Sequence, residues 1–67
     1  MKHNKMTFYE LLLVLDNNID IYVVIDGEGK AGKVYNFLRA DAFHPYLVKS
    51  LKLDTPMNEL NIYLKEA

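Results

Sequence analysis

The run Ile19-Asp20-Ile21-Tyr22-Val23-Val24-Ile25-Asp26 restricts this chain more than any other stretch. It is the longest β-branched and aromatic segment, with Gly27 directly after it. Side chains alternate along a strand, so Ile19, Ile21, Val23 and Ile25 share one face while Tyr22 and Val24 share the other. Both faces are apolar, which suits the middle of a sheet better than its edge.

The strand needs a partner layer, and length limits what that can be. Sixty-seven residues make one small domain, 1–67. A chain this short hides only about 60% of the surface its unfolded form exposes. There is no cysteine, so neither a disulfide nor a thiolate metal site is available. The hydrophobic fraction of 51% is therefore what must sustain the core. Leu11–Leu15 is far shorter than the roughly 20 residues of a membrane span. Lys2, Lys5 and that run imitate a signal peptide, but Glu10 interrupts them and Asp16-Asn17-Asn18 follows. A cytoplasmic protein with no membrane association is expected.

A net charge of -1 argues against direct nucleic-acid binding. The charges are segregated along the chain. From Met6 to Gly29 come Glu10, Asp16, Asp20, Asp26 and Glu28 with no base. From Lys30 to Lys52 come Lys30, Lys33, Arg39, Lys49 and Lys52 with only Asp41 against them. Either two solvated faces balance in the fold, or an acidic patch steers the chain toward a basic partner.

In chain order, Met1–Lys5 is a polar leader expected to fray. Thr7 and Glu10 write a capping box, and Phe8, Leu11, Leu12 and Leu15 repeat at helical spacing behind it. This helix should lie on the Ile19/Ile21/Val23/Ile25 face, and Asn17 or Asn18 suits a left-handed position at its end. Asp26–Gly32 reads as a loose hairpin loop, with Lys33–Leu38 as the second strand. Val34, Phe37 and Leu38 would equally suit one face of a helix. Arg39–Pro45 reads as irregular, with one helical turn at Ala40–Phe43. Tyr46–Asp54 reads as a third strand, Leu47, Leu51 and Leu53 on one face and Val48, Ser50 and Lys52 on the other. After a turn at Asp54–Asn58, Glu59–Lys65 alternates as a fourth strand, Leu60, Ile62 and Leu64 inward. The expected fold is α+β: a short N-terminal helix on an antiparallel sheet of about four strands.

Gly27-Glu28-Gly29-Lys30-Ala31-Gly32-Lys33 matches the G-x-x-x-x-G-K spacing of a phosphate-binding loop, in which backbone N–H groups and a lysine meet phosphate oxygens. Gly27, Gly29, Gly32 and Lys33 would be the binding residues. The next residue is Val34, so the magnesium-binding hydroxyl is missing. The chain is also too short for the parallel sheet of such enzymes. A flexible glycine loop is the preferred reading.

His3 and His44 have no acid at helical i+4, Asp41 stands only three before His44, and both histidines read as surface residues. Asp26 and Glu28 lack the calcium-loop spacing. No nucleophile stands beside a base. The sequence therefore points to no catalysis, no cofactor and no metal. What remains is the sheet face opposite the helix, expected to carry Tyr22, Val24, Val48 and Tyr63, with Tyr35 or Phe37 according to register. Tyrosine is favoured at interfaces because it is large, has few torsions and keeps a polar tip.

Thr7-Phe8-Tyr9-Glu10-Leu11-Leu12, Ile19-Asp20-Ile21-Tyr22-Val23, Gly32-Lys33-Val34, Tyr46-Leu47-Val48-Lys49 and Leu60-Asn61-Ile62-Tyr63-Leu64 form a layout. It resembles the small accessory proteins of Gram-positive bacteriophages and mobile elements. The likeness is one of pattern over most of the chain. It implies a protein partner, since some such proteins inhibit host defences, CRISPR nucleases among them, by stoichiometric binding. The expectation is a non-enzymatic protein-binding module, its surface formed by Tyr22, Tyr35 and Tyr63 with Glu10, Asp16, Asp20, Asp26 and Glu28. A homodimer closed by the same face is the alternative.

Overall fold

The computed structural model describes residues 6–66. The expected leader at 1–5, with His3, lies outside them. The elements are α1 (Phe8–Val14), β1 (Asp20–Ile25), β2 (Glu28–Lys33), α2 (Val34–Arg39), a single 3-10 turn (Asp41–Phe43), β3 (Leu47–Asp54) and β4 (Glu59–Lys65). The four strands form one sheet in the order β2-β1-β4-β3. It is an α+β domain.

α1 begins as the capping box predicts. The Glu10 N–H donates to Thr7 Oγ1 at 3.1 Å, and the Thr7 N–H donates to Glu10 Oε1 at 2.8 Å. Each bond satisfies a first-turn donor that the helix itself cannot pair. The helix stops at Val14, with Leu15 extended. Asn17 and Asn18 are not left-handed; among the described non-glycine residues only Asp26 and Asn58 have positive φ. The Asp16 carboxylate takes the Asn18 N–H instead, a local turn that needs no left-handed residue.

β1 lies inside the sheet, as its two apolar faces require. The outer strand pairs are antiparallel, but the central pair, β1 with β4, is parallel. The chain forms one hairpin, crosses over through α2 and returns with a second hairpin whose last strand inserts beside the first. A parallel pair needs such a crossover, and α2 provides it.

Two expectations for the middle of the chain are corrected. The second strand is Glu28–Lys33, not Lys33–Leu38. Asp26 and Gly27, with φ of 51° and 81°, make a two-residue turn that sets Ile25 against Glu28 and starts a tight hairpin, so there is no loose loop. Residues 34–38 are instead helical, because Val34 and Phe37 lie three apart and bury together on the sheet.

The core gathers Phe8, Leu11 and Leu12 from α1, Val34 and Phe37 from α2, and Ile21, Val23, Ile62 and Leu64 from the central strands. Phe8 and Phe37 meet edge to face, centroids 5.7 Å apart. Both helices thus cover the same face of the sheet. A bulge between Val48 and Ser50 alters the expected pattern of β3. It inserts one residue, so Val48 pairs with Leu64 and turns to the helix side with Leu51 and Leu53.

Candidate functional site

Among the described residues no element covers the face opposite the helices. Tyr22 and Val24 of β1 and Tyr63 of β4 occupy its centre, and Val24 is the register partner of Tyr63. Val24 and Tyr63 are half-buried by their neighbours, whereas Tyr22 is 37% exposed. Asn61, Ser50 and Lys52 continue the face across β4 and β3. Gly29 and Ala31 continue it across β2, where short side chains leave the Tyr22 ring room to lie flat. The face is made of aromatic and aliphatic surface with a mixed charged rim, and it lacks a deep cavity.

Of the residues expected there, Tyr22, Val24 and Tyr63 are present. Phe37 is in the core and Val48 has turned to the helix side, for the reasons above. Tyr35 is exposed on α2, close enough to Lys33 for its hydroxyl to act on the ammonium.

The five acids do not form one patch. Glu10 is engaged in the α1 cap and Asp16 in the turn after it. Glu28 shares a face with Ile25, on the helix side. Asp20 and Asp26 stand at opposite ends of β1, about 20 Å apart at the rise of a strand. Asp26 borders the tyrosine face through a depression that it lines with Val24 and Tyr63, and the face is reached at its other end by Asp20. The Asp20 carboxylate accepts a hydrogen bond from Lys33 Nζ at 2.7 Å across the hairpin. That bond raises the Lys33 pKa above the ordinary lysine value; loss of hydration opposes the rise, and the charge of Asp20 and then Tyr35 add to it. The acidic and basic halves of the sequence are thus interleaved here by pairing β1 with β2.

The residues of the phosphate-loop spacing lie in the hairpin. Glu28–Lys33 is a strand in register with β1 and not a loop. The amides at the start of α2 are also occupied: Val34 N–H donates to the Ile19 carbonyl at 3.0 Å, and Tyr35 N–H to the Asn17 carbonyl at 3.2 Å. Lys33 is held by Asp20. Gly27, Gly29 and Gly32 serve the hairpin.

The comparisons supply no relative. No family model, no curated protein and no solved structure matches this chain.

Two shallow, open depressions mark the two ends of the sheet. One, at the β1–β2 turn, is lined by Asp26, Lys49, Tyr63 and Lys65. The other, at the opposite end of the sheet, is lined by Asp16, Asp20, Leu53 and Leu60. Among the described residues no three His, Asp or Glu side chains gather closely enough to hold a metal ion, and no helix is long and apolar enough to cross a membrane.

His44, expected on the surface, is half-buried. Its Nε2 is 2.9 Å from the Phe37 carbonyl, which makes that nitrogen the donor, and its ring packs on Tyr9 with centroids 4.7 Å apart. It ties the 3-10 turn to α2 and α1. The only sequence signal for this was its place before Pro45, which disfavours a continuing helix.

Proposed function

We propose that this chain is a non-enzymatic protein-binding module whose contact surface is the helix-free face of the sheet. One observation carries the reading: Tyr22, Val24 and Tyr63 lie side by side on the two central strands with no element of the described residues above them. A rigid sheet fixes these side chains before contact, so little conformational entropy remains to be lost on binding. Tyrosines of this kind supply large contact area with a polar tip. The rim, with Asp20, Lys33, Lys49, Lys52 and Lys65, carries both signs of charge and suits orientation more than bulk attraction. The sequence resemblance makes a host defence protein, such as a CRISPR nuclease, the class of partner to test first, and that choice rests on pattern alone.

The test compares the wild-type chain with a Tyr22→Ala/Tyr63→Ala variant as bait in a Gram-positive lysate. Captured proteins are then re-bound in purified form. The variant must keep the wild-type amide spectrum. Loss of a purified partner by the variant is expected. A variant that retains every captured protein overturns the assignment of the face.

A further inference from the structure

β3 is an edge of the sheet, and among the described residues only its beginning is closed. There the Val48 N–H donates to the Met6 carbonyl and the Phe8 N–H to the Tyr46 carbonyl, both at 2.8 Å, around a bridge between Thr7 and Leu47. From Ser50 to Asp54 no described segment pairs with the outer edge. The same stretch carries Leu51 and Leu53 on the helix side, 50% and 63% exposed, because α1 and α2 do not extend over it. An open edge bearing alternate large apolar side chains is a template for another strand. The opposite edge, β2, differs: Glu28-Gly29-Lys30-Ala31-Gly32-Lys33 exposes no large apolar residue.

The order of charges selects the occupant. On the other face of this stretch stand Lys52 and Asp54, on either side of Leu53. A two-fold axis perpendicular to the sheet, placed at Leu53, would run a second copy of β3 antiparallel to the first and keep like faces together. Each Lys52 then opposes the other copy's Asp54, and the two Leu53 side chains meet on the helix side. With the axis at Lys52, two lysines would oppose each other directly, which is unfavourable. Of these two registers, the one centred on Leu53 is complementary to itself.

We propose that β3 is a self-association edge, through which two copies join their sheets into one continuous sheet with paired Lys52–Asp54 contacts. This edge borders the tyrosine face and shares Lys52 with its rim; the oligomeric state tests the edge and the captured partner tests the face, so one reading can fail without the other.

Sedimentation equilibrium over a concentration series up to the millimolar range tests it. The wild-type chain is expected to show a monomer–dimer equilibrium. Lys52→Asp and Asp54→Lys each place like charges opposite one another twice, and each should weaken the dimer about tenfold or more. Mixing the two variants restores complementary pairs and should restore a heterodimer. Hydrogen exchange on the wild-type chain gives a check that needs no variant: amides along Leu51–Asp54 should gain protection as concentration rises, while those of β2 do not. A chain that stays monomeric at the highest concentration overturns the proposal. So does a dimer indifferent to both charge changes, or a mixture of the variants that fails to pair.

Discussion

The ring of Tyr22 lies across Gly29 on the neighbouring strand, so closely that a β-carbon at Gly29 would fall within the phenol. The two residues are diagonal neighbours, since Tyr22 pairs with Ala31 and Gly29 with Val24. An aromatic ring over an edge glycine shields backbone that the glycine leaves bare. Gly29→Ala should therefore displace the ring, at a cost of about 1 kcal/mol, because the end of an exposed side chain can swing aside. In a Tyr22→Ala background the same change should be near neutral. A double-mutant cycle by urea denaturation measures the difference, and equal costs in both backgrounds would disprove the coupling.

The β1–β2 turn makes a separate prediction. Gly27 sits at φ 81° with Asp26 at 51°, both in the left-handed region. Gly27→Ala should cost about 1 kcal/mol, since a β-carbon is disfavoured there. Asp26→Asn should be neutral or slightly stabilising, because Asn-Gly suits this turn at least as well. Thermal and urea unfolding of both variants provide the check.

Phe8 is fully buried and meets Phe37, whereas Val14 on the same helix is 74% exposed. Phe8→Ala should cost about 3–5 kcal/mol, a large part of the stability of a domain this small, and leave much of the chain unfolded by circular dichroism. Val14→Ala should stay within about 0.5 kcal/mol. If the two variants unfold alike, α1 does not bury the face described.

The Asp20–Lys33 pair predicts a pH dependence. Its hydrogen bond holds the Lys33 pKa above the ordinary value in the folded chain. The stabilisation is then fully present below the unfolded lysine pKa and is lost as pH rises through the higher folded one. Asp20→Asn should lower the Lys33 pKa toward the ordinary value, as read by NMR titration at Cε. The stability gap between wild type and variant should narrow at strongly alkaline pH. An unmoved Lys33 titration would show that Asp20 is not its partner in solution.

How much of this was legible beforehand follows the range of the interactions. Thr7 and Glu10 are three residues apart and cap α1 by themselves, so that start could be read directly. The alternation of Glu59–Lys65 and the two-faced apolar character of Ile19–Asp26 likewise marked one strand and the central place of another. Asp26-Gly27 was a readable hairpin signal that a count of glycines obscured. Taken as a turn, it would have assigned Glu28–Lys33 to a strand despite its lack of apolar residues. The tyrosine face was legible for Tyr22, Val24 and Tyr63, each on a strand with clear alternation.

Sequence alone determined the α+β class, the α1 cap, the central strand and the last strand, because each depends on neighbours within a few residues. The tertiary structure decided the parallel β1–β4 pair, the bulge that turns Val48 inward, the helix at Val34–Arg39 and the scattering of the acids. Those depend on which distant backbone groups pair. Val34 and Phe37 fit a strand or a helix until β2 has paired with β1 and the chain must cross the sheet to place β3 beside β4.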